Sequence, residues 1–315
     1  MYRYKRLLVA LSLTEQDEAS IRFAGLVNRL AKSEKIKFVH VISSLMDVPE
    51  ELKAEIPYLA DPSGERAKNK MKELVSGYFE NDNKTGIEYE IIEGSPLIEL
   101  LREIKKDDID LVIMAKKFEP AEAGVLPVKL TRRAPCSVLL VPENAGPSFS
   151  NILVPTDFSE NSIDSMDAAV AFASAKGIEK IYCLHAYDVP IGYYKIGKSY
   201  EEFAEIMKGH AEKNYKTFLQ KEVCQIGSVC QIKDLKGIQV TPIFKLEKKA
   251  AKAIKEEIQN LNIDLLIIGA RGRHAGAGVL LGSVTEEEIK TTTIPILAVK
   301  KKGTGMTILD AFLKI

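Results

Sequence analysis

The chain has 315 residues, 44 Lys and Arg against 44 Asp and Glu, 46% hydrophobic residues and no tryptophan. At roughly 150 residues per domain, this length predicts two domains, each able to enclose its own core. Zero net charge and a pI near 6.9 exclude a generally basic nucleic-acid binder and an acidic disordered tail.

The first structured stretch is Arg6-Leu-Leu-Val-Ala-Leu-Ser-Leu-Thr-Glu15. Its apolar run, Leu7 to Leu11, is shorter than a signal-peptide core, and no run approaches the roughly 20 apolar residues of a membrane span. The expectation is a cytoplasmic protein without membrane or nucleic-acid partners. Val39-His40-Val41, Glu93-Gly94-Ser95-Pro96, Asp108-Ile-Asp-Leu-Val-Ile-Met-Ala115 and Ala134-Pro-Cys-Ser-Val-Leu-Leu-Val-Pro142 follow. Residues 142–150, with Gly146 and Pro147, read as a linker.

Beyond the linker, Ile, Leu and Val runs at 151–155, 180–186, 239–245, 263–268 and 294–300 suit parallel strands buried on both faces. Helices are predicted between them at 160–176, 200–222, 248–260 and 284–292. The first would bury Ile163, Met166, Val170 and Ala173, and Gly177 lies just past its end. The second would bury Tyr200, Phe203, Met207, Ala211 and Phe218, with Ser199 and Glu202 as a capping box. Strand alternating with helix implies crossover units and a doubly wound parallel sheet.

Four cysteines are too sparse for a disulfide framework, and none forms a Cys-x-x-Cys pair. Cys136 and Cys183 sit in apolar runs and should be buried thiols; pairing of Cys224 with Cys230 is disfavoured in a reducing compartment.

The order of elements occurs twice. Arg6 to Glu15 lies on Asn151 to Glu160 at an offset of 145, and Asp108 to Ala115 lies on Asn262 to Gly269 at an offset of 154. Nine residues are therefore inserted between these anchors in the second copy. A repeat of this period implies a duplicated domain.

In the second copy the strand ending at Gly269 runs into Gly269-Ala-Arg-Gly272, nine further residues, then Gly282-Ser-Val-Thr285 before a helix. Loops at the carboxyl ends of parallel strands are where open α/β sheets bind ligands. Glycines there admit close approach of backbone N–H groups to an anion, and Ser283 and Thr285 add hydroxyls at a helix N-terminus. Arg271, Arg273 and His274 either pair with phosphate oxygens or solvate the loop. At the same sheet edge Pro155-Thr-Asp157 closes the first strand. Asp157 would cap the following helix, or meet a ribose hydroxyl or a phosphate-bound metal. His185, like His40, ends a buried strand and reads as a structural histidine.

These residues resemble the ATP-binding type of the universal stress protein family over about 149–302. The family motif is Gly, two residues, Gly, nine residues, then Gly with Ser or Thr, and here it is Gly269, Gly272, Gly282 and Ser283. The resemblance implies two tandem doubly wound parallel-sheet domains, five-stranded, Rossmann-like and of the adenine nucleotide alpha hydrolase type. It implies that Pro155, Asp157 and Ala186 border ribose and adenine. Gly269, Ala270, Arg271, Gly272, Arg273, His274, Gly282, Ser283, Val284 and Thr285 would then hold the phosphates, with Mg2+ near Asp157. The family's Gly and Pro before the third helix survive as Gly94 and Pro96 in the first copy, but Lys248 and Lys249 stand there in the second.

The first copy resembles the same family over 3–142 with its site erased: Ala115, Phe118, Val128, Lys129 and Ser12 replace Gly269, Gly272, Gly282, Ser283 and Asp157. The expected organisation is a degenerate domain at 1–143, an ATP-binding domain at 149–302 and a tail at 303–315. Final strands 136–141 and 295–300 would join the copies as a pseudo-dimer, and two chains as a homodimer remain compatible. The implied role is a stress-response sensor or regulator whose loop 270–282 orders with ATP and is read by a protein partner. Two other readings stand beside it. One is a slow ATP hydrolase or nucleotidyl transferase, although a P-loop is absent; the other is a scaffold with a vestigial site. The aromatic insertion at 189–199 reads as a lid or a partner surface.

Overall fold

In the computed structural model, residues 3–42, 64–80, 85–117, 124–222, 237–272, 281–303 and 313 are described. The chain divides into two units, one built on Tyr2–Ser148 and one on Phe149–Lys301.

In the first unit the strands are β1 (Arg6–Leu11), β2 (Lys35–Ile42), β3 (Gly86–Glu93), β4 (Leu111–Lys116) and β5 (Ser137–Pro142). Its helices are α1 (Asp17–Ala31), α2 (Glu65–Tyr78), α3 (Pro96–Lys106) and α4 (Val125–Arg133). The strand order is β3-β2-β1-β4-β5, all parallel. The second unit repeats this with β6 (Ile152–Pro155), β7 (Lys180–Tyr187), β8 (Gln239–Leu246), β9 (Leu265–Gly269) and β10 (Ile296–Val299) in the order β8-β7-β6-β9-β10. Its helices are α5 (Glu160–Lys176), α6 (Tyr200–Glu222), α7 (Ala250–Asn260) and α8 (Ser283–Thr291), with a short 3-10 turn at Tyr193–Ile196.

In each unit the chain steps outward from the first strand to the third and then returns past the first to the fourth. Right-handed crossovers therefore place the first two helices on one face and the last two on the other. The reversal opens a crevice at the carboxyl ends of the first and fourth strands. Central strands are solidly apolar and buried, as all five residues of β9 show. The edge strand β8 accommodates Pro242 and is only partly covered.

The predicted strands and helices of the second half all form, with ends shifted by two residues at most. Gly177 ends α5 in the left-handed region at φ 77°, its N–H on Ala173 O. The Ser199 and Glu202 box closes through N–H bonds of 3.1 and 2.9 Å. Of the residues expected on the buried face of α5, Met166 and Ala173 are buried while Ile163 and Val170 are half-buried, and Ser165, Ala168, Ala169 and Phe172 complete that face. Small side chains let this helix lie close on the sheet. On α6 the buried residues are Ala204, Ala211, Tyr215, Phe218 and Leu219, and Tyr200 is 40% exposed.

Backbone devices recur in both units. Leu13 and Phe158, at equivalent positions, take φ of 59° and 60°, and Asp108 and Asn262 take 48° and 49°. Asp110 accepts the N–H groups of Lys5 and Arg6, as Asp264 accepts those of Ser150 and Asn151. Cys136 and Cys183 are buried free thiols, and burial pushes the Cys183 thiol up to about 12. Cys224, Cys230 and most of the tail lie outside the described residues, and no helix among the described ones is long and apolar enough to cross a membrane.

Candidate functional site

Beyond Pro155 the chain leaves β6 through a tight loop. Thr156 N–H still bonds Leu184 O at 2.8 Å, and Phe158 turns the chain into α5 with its positive φ. Asp157 holds the turn: Oδ1 accepts the Ser159 N–H at 3.0 Å and the Ser162 hydroxyl at 2.8 Å. Asp157 thus braces the loop before α5 and does not cap the helix as expected: Ser159 occupies the N-cap position, and α5 has no side-chain cap bond. His185 Nδ1 donates to Thr156 O at 2.8 Å, and its ring packs at a tilt of 32° against Phe158, 4.3 Å between centroids. His40 makes the same bond to Leu11 O at 2.8 Å, so both histidines are structural rungs between the first loop and the second strand.

Across the crevice, β9 ends at Gly269. A Cβ there would lie 3.0 Å from Asn161 O and 3.2 Å from Ser165 Oγ, so this glycine is needed for close packing on α5. At Gly272 a Cβ would lie 2.8 Å from Asp157 Oδ2. Ala270 is 1% exposed; its N–H bonds Val299 O and its carbonyl takes the Gly282 N–H at 2.8 Å, pinching the two ends of the loop together. Thr285, also buried, donates its hydroxyl to Gly269 O at 2.7 Å. That proton is committed to the scaffold, so Thr285 ties α8 to β9 instead of offering a hydroxyl donor. Arg271 Nε is buried and without a partner among the described residues.

These groups enclose a cleft of about 560 Å³. Pro155, Asp157, Ala186, Gly269, Arg271, Gly272, Gly282, Ser283, Val284 and Thr285 all line it, while Ala270 stands behind the wall. Arg273 and His274 lie outside the described residues. Lys248 and Lys249 are exposed and outside the lining; Ala250, first residue of α7, takes the wall position instead. Sequence reasoning missed Thr156, Ser162, Leu184, Ala250, Ile254, Ile268, Leu281 and Glu286. Ser162 could have been found from its place five residues after Asp157, one turn into the helix.

Chemically, one end of the cleft is apolar, between Pro155, Leu184, Ala186 and Ile254. The other end holds the Arg271 Nε, without a partner among the described residues, and the N-terminus of α8, whose first N–H groups have no partner within the helix. An apolar slot joined to an anion-attracting end suits a flat ring bearing phosphates.

The first domain has a smaller cleft of about 380 Å³ at the equivalent place. There the acid has moved: Asp17, equivalent to Ser162, accepts the N–H groups of Ser12 and Thr14 and the Ser12 hydroxyl at 3.1 Å. The Asp157–Ser162 pair is thus present with its members exchanged. Burial, opposed by these bonds, raises the Asp17 carboxyl above its ordinary value.

The sequence profile described as Universal stress protein family matches residues 3–142 and 148–300. Two universal stress proteins of Methanocaldococcus jannaschii are similar to half of the chain. One is 29% identical over 169 residues, covering 49% of this chain and 97% of the relative. The other is 28% identical over 155 residues, covering 49% and 83%. The crystal structure of a universal stress protein from Archaeoglobus fulgidus matches with a TM-score of 0.63 at 15% identity, over 94% of this chain and 98% of its own; this likeness concerns the fold.

Proposed function

Since this chain belongs to the universal stress protein family, with a domain of that family in each half, we propose that its second domain binds ATP and that the protein acts as a nucleotide-dependent stress regulator with one ATP site per chain. The observation that carries this reading is the meeting of Asp157, Gly272 and the unpartnered Arg271 Nε in one cleft with the N-terminus of α8. Adenine would occupy the apolar end beside Pro155, Leu184 and Ala186. Asp157 would accept from the ribose hydroxyls, since its Oδ1 is already held by the loop and Oδ2 faces Gly272. The backbone of Gly272, Gly282, Ser283 and Val284, with Arg271, would surround the phosphates.

Mg2+ would enter with the triphosphate, whose oxygens supply most of its ligands, and Asp157 is the acid placed to add one. Among the described residues no group of three or more His, Cys, Asp or Glu forms a metal cage. A protein partner would read the nucleotide-bound state of the β9–α8 loop.

Isothermal titration of the full chain with Mg-ATP tests the reading. The expected result is about one site per chain, with a melting temperature that rises with ATP; at 100 times Kd the stabilisation is about 2.7 kcal/mol. No heat and an unchanged melting temperature would overturn it.

A further inference from the structure

Seven large apolar side chains stand exposed among the described residues, and five of them, Ile191, Tyr194, Ile196, Tyr200 and Ile206, lie within one stretch of the second domain. Ile191 is 94% exposed, so it stands clear of its own chain instead of packing on it. No residue of 189–199 lines the proposed ATP cleft, so the insertion presents its apolar side chains to solvent and leaves the cleft uncovered. An exposed apolar cluster of this kind marks a docking surface.

The stretch is built to hold its shape. Val189 is buried at its root, and the half-buried Tyr193 has its ring 5.6 Å from that of Tyr200 and 6.5 Å from that of Phe203. Gly192 and Gly197 bracket the 3-10 turn at φ of 95° and 71°. The N–H groups of Tyr193, Lys195 and Gly197 bond the carbonyls of Pro190, Gly192 and Tyr194 within the loop, and Pro190 has no N–H to satisfy. Backbone groups paired within their own segment lose little on leaving water, which is the condition for entering a lipid interface.

Charge selects the partner. From Val189 to Tyr200 the charged side chains are Lys195 and Lys198, both exposed. The nearest acids along the chain stand at the base of the loop. Asp188 accepts the Val189 N–H at 2.8 Å and Glu202 the Ser199 N–H at 2.9 Å, while Glu201 lies on the first turn of α6. Two copies of the chain meeting loop to loop would oppose these lysines to their own counterparts. A bilayer needs no matching pocket: it takes isoleucine at its hydrocarbon edge, tyrosine at the headgroups and lysine against anionic phosphates.

From this we infer that residues 190–198 are a docking loop for a membrane surface rich in anionic lipid, on which the second domain rests without spanning it. Such contact needs no spanning segment, the feature whose absence suggested a protein without membrane partners. The inference rests on the exposed loop alone and is independent of the ATP reading.

Co-sedimentation of the full chain with lipid vesicles tests it. Vesicles of equal parts phosphatidylglycerol and phosphatidylcholine should carry the chain down at low salt, with affinity for phosphatidylcholine alone lower by roughly tenfold or more. Ile191→Asp, and separately Lys195→Glu combined with Lys198→Glu, should each weaken binding to the anionic vesicles by roughly tenfold or more. Val125→Asp, at an exposed apolar position of the first domain, should leave it unchanged. Because the chain has no tryptophan, Tyr194→Trp supplies a single reporter, whose emission should shift to the blue on anionic vesicles. Circular dichroism checks that each variant is folded. No co-sedimentation, equal binding to both kinds of vesicle, or wild-type binding by Ile191→Asp would each overturn the inference. So would self-association, seen by light scattering, that Ile191→Asp abolishes while vesicle binding is absent; that result would assign the loop to a second copy of the chain.

Discussion

Asp157 Oδ2 lies 2.8 Å from the place a Cβ on Gly272 would occupy. The acid that closes the first strand and the second glycine of the motif therefore share one volume, and any side chain at 272 must displace the carboxylate or the loop. Gly272→Ala is expected to weaken ATP binding at least tenfold, and Gly272→Val more, with little change in the stability of the ligand-free chain. Calorimetric titration of both variants checks this; wild-type affinity in Gly272→Val would refute the shared-volume account.

Asp157 has both a scaffold role and a proposed ligand role, and two substitutions separate them. Asp157→Asn keeps an oxygen to accept from Ser159 N–H and Ser162, so its melting temperature should stay close to wild type while ATP affinity falls. Asp157→Ala leaves those donors without their acceptor and should also lose about 1–2 kcal/mol of stability. Thermal melts with and without ATP distinguish the two; equal destabilisation by both variants would contradict the division of roles.

Removing the Thr285 hydroxyl orphans the Gly269 carbonyl in a buried setting. Thr285→Val should cost about 1–3 kcal/mol in urea unfolding, and Thr285→Ser should restore most of it. If Val and Ser behave alike, the bond contributes nothing and the tie between β9 and α8 lies elsewhere.

In the first domain, burial alone would raise the Asp107 carboxyl, but hydrogen bonds from Lys37 at 2.8 Å and Lys35 at 3.2 Å outweigh it and hold the group below its ordinary 3.8. A lowered folded value contributes stability that is full above the unfolded value and lost as pH falls through the folded one. Melting temperature should therefore drop on acidification below about pH 4, and Asp107→Asn should flatten that part of the profile. A drop of equal steepness in the variant would assign the acid sensitivity to other groups.

Most of the second domain's architecture was legible because its signals are periodic or local. Buried parallel strands read as unbroken apolar runs, Gly177 marks the end of α5, and Ser199 with Glu202 marks the start of α6. Much of the cleft wall was legible for a different reason: the spacing of Gly269, Gly272 and Gly282 follows a strand. The reasons for the individual glycines were not. Gly269 answers to Asn161 and Ser165 on a helix a hundred residues earlier, and Gly272 to Asp157; such contacts leave no pattern along the chain. Ala270 and Thr285 also face inward, one behind the wall and one onto Gly269 O, through contacts that leave no mark in the sequence. The orientation of Lys248 and Lys249 was not legible either: close to the site in sequence, they stand exposed at the start of α7 and outside the cleft lining.

The exchanged pair, Asp157 with Ser162 and Ser12 with Asp17, has a consequence for engineering. Both versions contain one carboxylate and one hydroxyl, so the difference between the two loops is invisible to composition and to net charge. Moving the acid back requires no new charge: Ser12→Asp combined with Asp17→Ser is a neutral transposition that preserves the hydrogen-bonded couple, whereas either change alone sets two acids or two hydroxyls face to face. The first domain can thus be rewired at its loop without redesigning the fold beneath it.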